Sequence, residues 1–176
     1  MKTFFLAAMI AILTCVSLAQ SSTPAATVSD VLTYEQAHDN AVDAVFNLRN
    51  LKIYKKWITP ELYELFLAEL TREEKEAKLN PDDKPYFGDG MTFAPLKEFC
   101  KANGKIHTQQ FALQETVSSG DSAIVPANFF YDKACGEAEP TVYKFKLVKQ
   151  RFVWLIDNID YGENGSLRND LRKAAD

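Results

Sequence analysis

The sequence predicts an α+β fold in which amino-terminal helices pack on a curved antiparallel sheet of about four strands, followed by a short carboxy-terminal helix. Apolar residues recur at helical spacing through much of the first half of the chain. After residue 105 they alternate instead, as expected for strands with one buried face. Helices first and strands second is the order typical of α+β domains, and the length of 176 residues suits a single domain.

The amino-terminal segment has the pattern of a secretory signal peptide. Lys2 precedes an apolar run at residues 4–16 that is short for a membrane span, and small residues lead up to Ala19. We expect a signal peptide over residues 1–19 with cleavage after Ala19, a flexible leader over 20–29 and one domain over 30–176. A lipoprotein attached at Cys15 is the less favoured alternative, because the residues before it form a poor lipobox. No later run is apolar enough to predict a membrane span.

The best-defined helix start lies at residue 59. Thr59 is expected to cap the helix, Pro60 to occupy its first turn and Glu61 to complement its dipole. An earlier helix is predicted from about Asp30. A short one is predicted over 96–102, ended by Asn103-Gly104.

Four strands are predicted over residues 106–117, 122–132, 141–148 and 152–159. Tyr143, Phe145 and Leu147 share one face of the third strand, and Pro126 places an edge or a bulge in the second. Apolar residues on both faces of the fourth strand favour a central position. A last helix is expected to start at Ser166.

Composition excludes some classes of function. The formal net charge is -4 with both signs interspersed, so a surface for nucleic-acid phosphates is not expected.

Once the predicted signal peptide is removed, Cys100 and Cys135 remain, and an even pair in an exported chain predicts one disulfide. We find no metal-ligand spacing, phosphate loop or dinucleotide fingerprint, so we expect no metal and no cofactor.

The carboxy-terminal motif carries a family resemblance. It runs from Trp154 through Asp157-Asn158-Ile159 and Tyr161-Gly162 to Gly165-Ser166-Leu167-Arg168, and Thr59-Pro60-Glu61-Leu62 precedes it. Together these residues resemble the exported bacterial family called domain of unknown function 3828. The resemblance covers roughly residues 31–173 and implies a cystatin-like, or nuclear transport factor 2-like, cone. It implies no particular reaction. The loop at Pro85-Tyr86-Phe87 departs from the acidic-Pro-Phe form associated with the family.

The candidate site residues have both functional and structural interpretations. Asp157 is a candidate general acid or base at the end of a strand, and His107 is a second weak candidate. The structural alternative is that Asp157 or Asn158 terminates the strand, and we prefer it. The candidate ligand-binding residues are Tyr86, Phe87, Trp154, Asp157 and Arg168.

The leading hypothesis is an exported, periplasmic or secreted, non-catalytic domain that binds a small ligand or a protein partner. One alternative is an enzyme of the same superfold with a dispersed acid/base site. The other is an inhibitor or immunity protein that acts on a partner protein. A ligand binder predicts an apolar cavity with a few polar groups, whereas an inhibitor predicts a filled interior and an exposed apolar patch.

Overall fold

Helices fill most of the first half of the described chain, and strands fill most of the second. The computed structural model describes residues 23–38, 47–80, 93–95, 100–136 and 139–173. The helices are α1 (Pro24–His38), α2 (Leu48–Tyr54), α3 (Pro60–Leu79) and α4 (Leu167–Lys173). The strands are β1 (Cys100–Ala102), β2 (Lys105–His107), β3 (Gln110–Leu113), β4 (Val117–Ser119), β5 (Ser122–Phe130), β6 (Thr141–Gln150) and β7 (Val153–Asp160). Helices on a mostly antiparallel sheet, with a short last helix, confirm the α+β class.

The main sheet has five strands in the order β3-β5-β6-β7, with β4 also paired to β5. β1 and β2 form a separate hairpin around Asn103-Gly104, where both residues have positive φ, 52° and 73°. A short helix over 96–102 is therefore wrong for residues 100–102, and residues 96–99 lie outside the described ranges. The dipeptide interpreted as a helix end is instead a two-residue hairpin turn, which requires positive φ at both positions.

The predicted strand over 106–117 is divided into β2, β3 and β4. Leu113 lies opposite Ala127 and Val117 opposite Ile124, so three residues of one chain segment face two of β5. This extra residue is a bulge, and Pro126, which has no N–H to donate, lies across from it. The Gln114 amide donates to the Pro126 carbonyl at 2.9 Å. The irregularity predicted at Pro126 is therefore present, but the extra residue lies in the facing segment and not in β5, which has neighbours on both sides.

The leader predicted over 20–29 is wrong from residue 24 onward. α1 begins at Pro24, and the Thr23 hydroxyl accepts a hydrogen bond from the Ala26 amide at 3.1 Å. Thr27 and Val28 are buried, and the Thr27 hydroxyl donates to the Trp154 carbonyl at 3.1 Å. Thr23-Pro24 is the same start signal as Thr59-Pro60, and it outweighs the polar composition of the segment. The signal peptide over 1–19 and the helical positions at 39–46 lie outside the described residues.

The start of α3 is confirmed. The Thr59 hydroxyl accepts from the Leu62 amide at 3.2 Å, with Pro60 in the first turn and Glu61 behind it. The helix buries Leu62 and Phe66 and extends through a charged second half to Leu79. None of the helices in the described ranges is both long enough and apolar enough to cross a bilayer.

The two faces of the main sheet differ in what covers them. The inner face, turned toward the helices, joins Val28, Val31 and Leu32 of α1 in one hydrophobic core. Its buried strand residues are Ala123, Val125, Ala127, Phe129, Phe145, Leu147, Trp154, Ile156 and Ile159. The outer face carries the alternate residues. The pattern of Tyr143, Phe145 and Leu147 on one face is confirmed.

β7 ends the strand order, so the prediction of a central strand is wrong. Chain segment 57–59 instead lies along its free side: the Thr59 amide donates to the Ile156 carbonyl at 2.9 Å, and the Ile156 amide donates to the Trp57 carbonyl at 2.7 Å. These bonds satisfy backbone groups at the otherwise free edge of β7. Phe152, predicted within the strand, lies in the preceding turn and is 90% exposed.

The predicted disulfide is present. Cys100 and Cys135 are bonded, with a Cα–Cα distance of 5.8 Å across a sequence separation of 35 residues. The bond ties the β1–β2 hairpin to a single 3-10 turn at Lys133–Cys135. A disulfide is typical of proteins in oxidising compartments, and it fits export.

Candidate functional site

Asp157 occupies a bulge in β7. Lys146 lies opposite Asn158 and Leu147 opposite Ile156, which leaves Asp157 as an extra residue without a partner in β6. The insertion changes the alternation, so that Ile156 and Ile159 both face the core although three positions separate them. Bulges of this kind often re-aim side chains beside functional sites, so the partners of Asp157 decide its role.

The Asp157 carboxylate is held between two other elements. Its Oδ1 accepts a hydrogen bond from the Thr59 hydroxyl at 3.1 Å and pairs with Nη2 of Arg168 at 2.5 Å. Arg168 Nε also donates to the backbone carbonyl of Asp157 at 2.6 Å. The side chains are partly buried, at 31% exposure for Asp157 and 19% for Arg168. We call Thr59, Asp157, Asn158 and Arg168 the bulge cluster.

Asn158 extends the same cluster to the start of α4. Its Oδ1 accepts a hydrogen bond from the backbone amide of Arg168 at 3.0 Å. The sequence suggests Ser166 as the cap of this helix, but the described capping contact comes from a side chain on β7. Ser166 instead forms a bridge with Asp160. The bulge cluster thus joins α3, β7 and α4. This agrees with the interpretation in which Asp157 and Asn158 have structural roles at the end of the strand.

The two candidate catalytic residues lie in different parts of the fold. His107 belongs to the separate β1–β2 hairpin, and its Nε2 lies 3.3 Å from the Ala102 carbonyl oxygen. The described side-chain contacts of Asp157 are with Thr59 and Arg168. A carboxylate–imidazole pair, which an acid/base site of these residues requires, is not assembled among the described contacts.

The other candidates fall into three groups. Tyr86 and Phe87 lie outside the described residues. Trp154 is 8% exposed and packs in the core, with the Lys149 ammonium 5.7 Å from its ring centroid. Arg168 belongs to the bulge cluster, so its guanidinium is engaged by Asp157.

A buried carboxylate on α1 was missed by sequence reasoning. Glu35 is buried, and the hydroxyl of Tyr54 donates a hydrogen bond to its Oε1. Burial, followed by the negative charge of Glu35, raises the pKa of Tyr54 above its usual value, so the phenol stays protonated. Val28, Val31 and Glu35 share one stripe of α1, a pattern that predicts burial once the helix is known to begin at Pro24.

Aromatic rings surround this pair. The Phe93 ring stacks on Tyr54 with centroids 5.3 Å apart, and Tyr34 lies edge-on to Tyr54 at 5.7 Å. The Lys56 ammonium lies 3.9 Å from the Trp57 ring centroid. The aromatic surface beside Glu35 is therefore partly covered by a cation of the chain itself.

Gln109 is another buried polar residue. Its backbone carbonyl accepts from Gln36 Nε2 at 3.1 Å, but its side-chain Oε1 is buried without a hydrogen-bond partner. Such atoms are rare in folded proteins, since an unpaired buried carbonyl forfeits its hydration. No sequence signal marks it.

No three His, Cys, Asp or Glu side chains are grouped to hold a metal ion in the part of the chain that the structure describes. Compared with known proteins, the chain matches no protein-family model, no curated protein and no solved structure. Family and function must therefore be argued from its own residues.

Proposed function

We propose that this protein is an exported, non-catalytic domain that binds a partner protein through the outer face of its sheet. The observation that carries the proposal is the apolar character of that face. Val117, Ile124 and Val142 are 64%, 38% and 42% exposed there, on three different strands. Isolated exposed apolar residues are ordinary, whereas several on one face are typical of interaction surfaces.

The strand register places some of these side chains next to each other. Val117 lies directly opposite Ile124, and half-buried Pro126 follows Ile124 on the same face two residues later. Val142 lies opposite Asn128 further along β6. Buried Leu155 and half-buried Val148 pair on the other side of the same face. Across β5 and β6 these apolar side chains alternate with polar ones, since Ile124 lies opposite Lys146 and Pro126 opposite Lys144.

Charge favours a partner with acidic groups around an apolar centre. Lys144 and Lys146 lie on the outer face beside Pro126 and Ile124. Lys146 pairs with Asp160 at 2.9 Å, and the exposed Lys144 lies opposite the same Asp160 without a salt bridge among the described residues. Since the whole chain has a net charge of -4, this local positive rim is suited to an acidic partner.

The same surface accommodates the inhibitor or immunity hypothesis, which differs only in what the partner does. The enzyme alternative has less support, because the bulge cluster engages Asp157 and His107 lies in another sheet. Non-catalytic binding needs neither group to be free.

Capture from the exported fraction of the producing cell tests the proposal. The tagged wild type, Ile124→Lys and Leu79→Lys would be compared by quantitative mass spectrometry. Leu79 is the matched control, because it is 70% exposed at the end of α3, away from the sheet. We expect one acidic partner to be retained by the wild type and the Leu79 variant, and to be reduced at least about tenfold for Ile124→Lys. Equal recovery by all three proteins would refute the outer-face site.

A second candidate function is small-ligand binding on the inner side of the sheet. It is favoured by the unpaired Gln109 Oε1, which a ligand N–H or O–H group would satisfy. Native mass spectrometry of the exported protein tests it. A retained small molecule that is lost in Gln109→Leu would support this candidate, and a bare protein mass would argue against it.

The fold assignment and the compartment form part of the same proposal. A cystatin-like or nuclear transport factor 2-like cone is supported by α1 on the inner face and by two bulges, which bend a sheet. Membership of the family of unknown function 3828 rests on the carboxy-terminal motif. Export is supported by the disulfide, and cleavage after Ala19 rests on the amino-terminal sequence pattern. Amino-terminal sequencing of the exported protein tests the cleavage site.

A further inference from the structure

We propose that the turn between β6 and β7 is a contact site for the headgroup surface of a lipid bilayer, with Phe152 as the inserting side chain. Gln150 pairs with Val153, so the turn consists of Arg151 and Phe152 alone. Phe152 is 90% exposed, the highest value among the exposed large apolar residues of the described chain. An exposed aromatic ring does not gain the hydrophobic free energy that burial in the core would give.

The backbone of this turn is also unusual. Arg151 has a φ of 59°, a conformation that favours glycine or asparagine. The Asn103-Gly104 turn of this chain uses the residue types that suit positive φ, and the Arg151-Phe152 turn does not. Arg151 has a backbone conformation that is unfavourable for its residue type, and Phe152 exposes a ring that is usually buried. Such departures are expected at functional surfaces.

A basic residue precedes the exposed ring in the turn. Arg151 is exposed and makes no hydrogen bond or ion pair within the described chain. Lys149 is exposed two residues earlier, but its ammonium lies 5.7 Å from the Trp154 ring centroid, and its backbone amide donates to the Asp121 carbonyl at 2.7 Å. The guanidinium of Arg151 next to an aromatic side chain fits the anionic and polar headgroups above an acyl layer.

The shape of the tip favours lipid over protein. A two-residue turn offers little area, whereas a specific protein interface buries about 800 Å² on each partner. Insertion into a bilayer needs no matching pocket and gains from a single projecting ring. The chain path agrees: Thr27 near the start of α1 bonds to Trp154, two residues from Phe152, so the amino terminus of α1 and the tip share one end of the domain. The inference does not depend on the outer-face proposal.

Fluorescence of Phe152→Trp in the exported protein tests the site, with vesicles of phosphatidylglycerol and phosphatidylcholine. The natural tryptophans, Trp57 and Trp154, are both buried, so an environment change at the tip is readable. We expect the emission to shift to the blue and to be quenched by brominated acyl chains. Leu79→Trp, at a site on α3 that is 70% exposed, is the control and should not respond.

Two further variants sharpen the test. Phe152→Ser should weaken vesicle sedimentation at least about tenfold, and Arg151→Gln about fivefold with a smaller salt dependence. Absence of a spectral change at millimolar lipid, or equal quenching at positions 79 and 152, would overturn the proposal. So would a protein partner lost with Phe152→Ser in the capture experiment when vesicles do not bind, because the tip would then be a protein anchor.

Discussion

Replacing Arg168 by methionine tests whether the bulge cluster stabilises the fold. Methionine keeps most of the aliphatic stem but removes the ion pair to the Asp157 carboxylate and the Nε hydrogen bond to its carbonyl. Charge-assisted hydrogen bonds contribute about 1.5–3 kcal/mol each when buried, and partial exposure of both side chains reduces this. We expect the free energy of unfolding to fall by about 2 kcal/mol. The backbone contact from Arg168 to Asn158 survives the substitution.

Arg172→Met is the matched control on the same helix. Arg172 is exposed and has no described hydrogen bond or ion pair, so its loss should cost less than about 0.5 kcal/mol. Urea unfolding followed by circular dichroism gives both values, and an unchanged slope confirms that the folded states are comparable. Equal effects of the two substitutions would refute the structural role of the cluster. Asp157 would then again be a candidate general acid or base.

Three other predictions concern stability. Reduction of the Cys100–Cys135 bond should cost about 4 kcal/mol, the chain-entropy value for 35 residues, and unchanged urea midpoints with and without a dithiol would contradict it. The hydrogen bond from Lys146 lowers the pKa of Asp160, so this pair stabilises the fold above about pH 4 and loses its effect as pH falls through the lowered pKa. Lys146→Met should therefore be at most about 1 kcal/mol less stable at pH 7 and equal to the wild type near pH 2; a pH-independent difference would exclude this linkage. Trp154→Ala should cost about 3–5 kcal/mol in thermal or urea unfolding, and a loss below about 1 kcal/mol would place Trp154 outside the core.

Local signals in the sequence predicted the elements that depend on local physics. The start of α3 follows from Thr59-Pro60, because a hydroxyl cap and a residue with fixed φ act within one turn. The alternation of Tyr143 and Phe145 likewise gives the inner face of β6. Pro126 marks the site of a sheet irregularity, although the extra residue lies in the segment opposite it and not in its own strand. At the start of α1 two local signals conflict: Thr23-Pro24 favours a helix start, whereas the polar composition of residues 20–29 favours a flexible leader, and the structure follows the first.

The roles of Asp157, Arg168 and Glu35 depend on residues far away in the chain. Asp157 meets Thr59 across 98 sequence positions, and Glu35 meets the Tyr54 hydroxyl on another helix. The sequence by itself determined the class of fold, the cysteine pair and the main apolar faces, because periodicity and caps act over a few residues. Only the tertiary structure decided that β7 is the last strand, that Asp157 is engaged and that Phe152 is exposed. Strand order and side-chain partners are set by packing between distant segments, which local spacing does not encode.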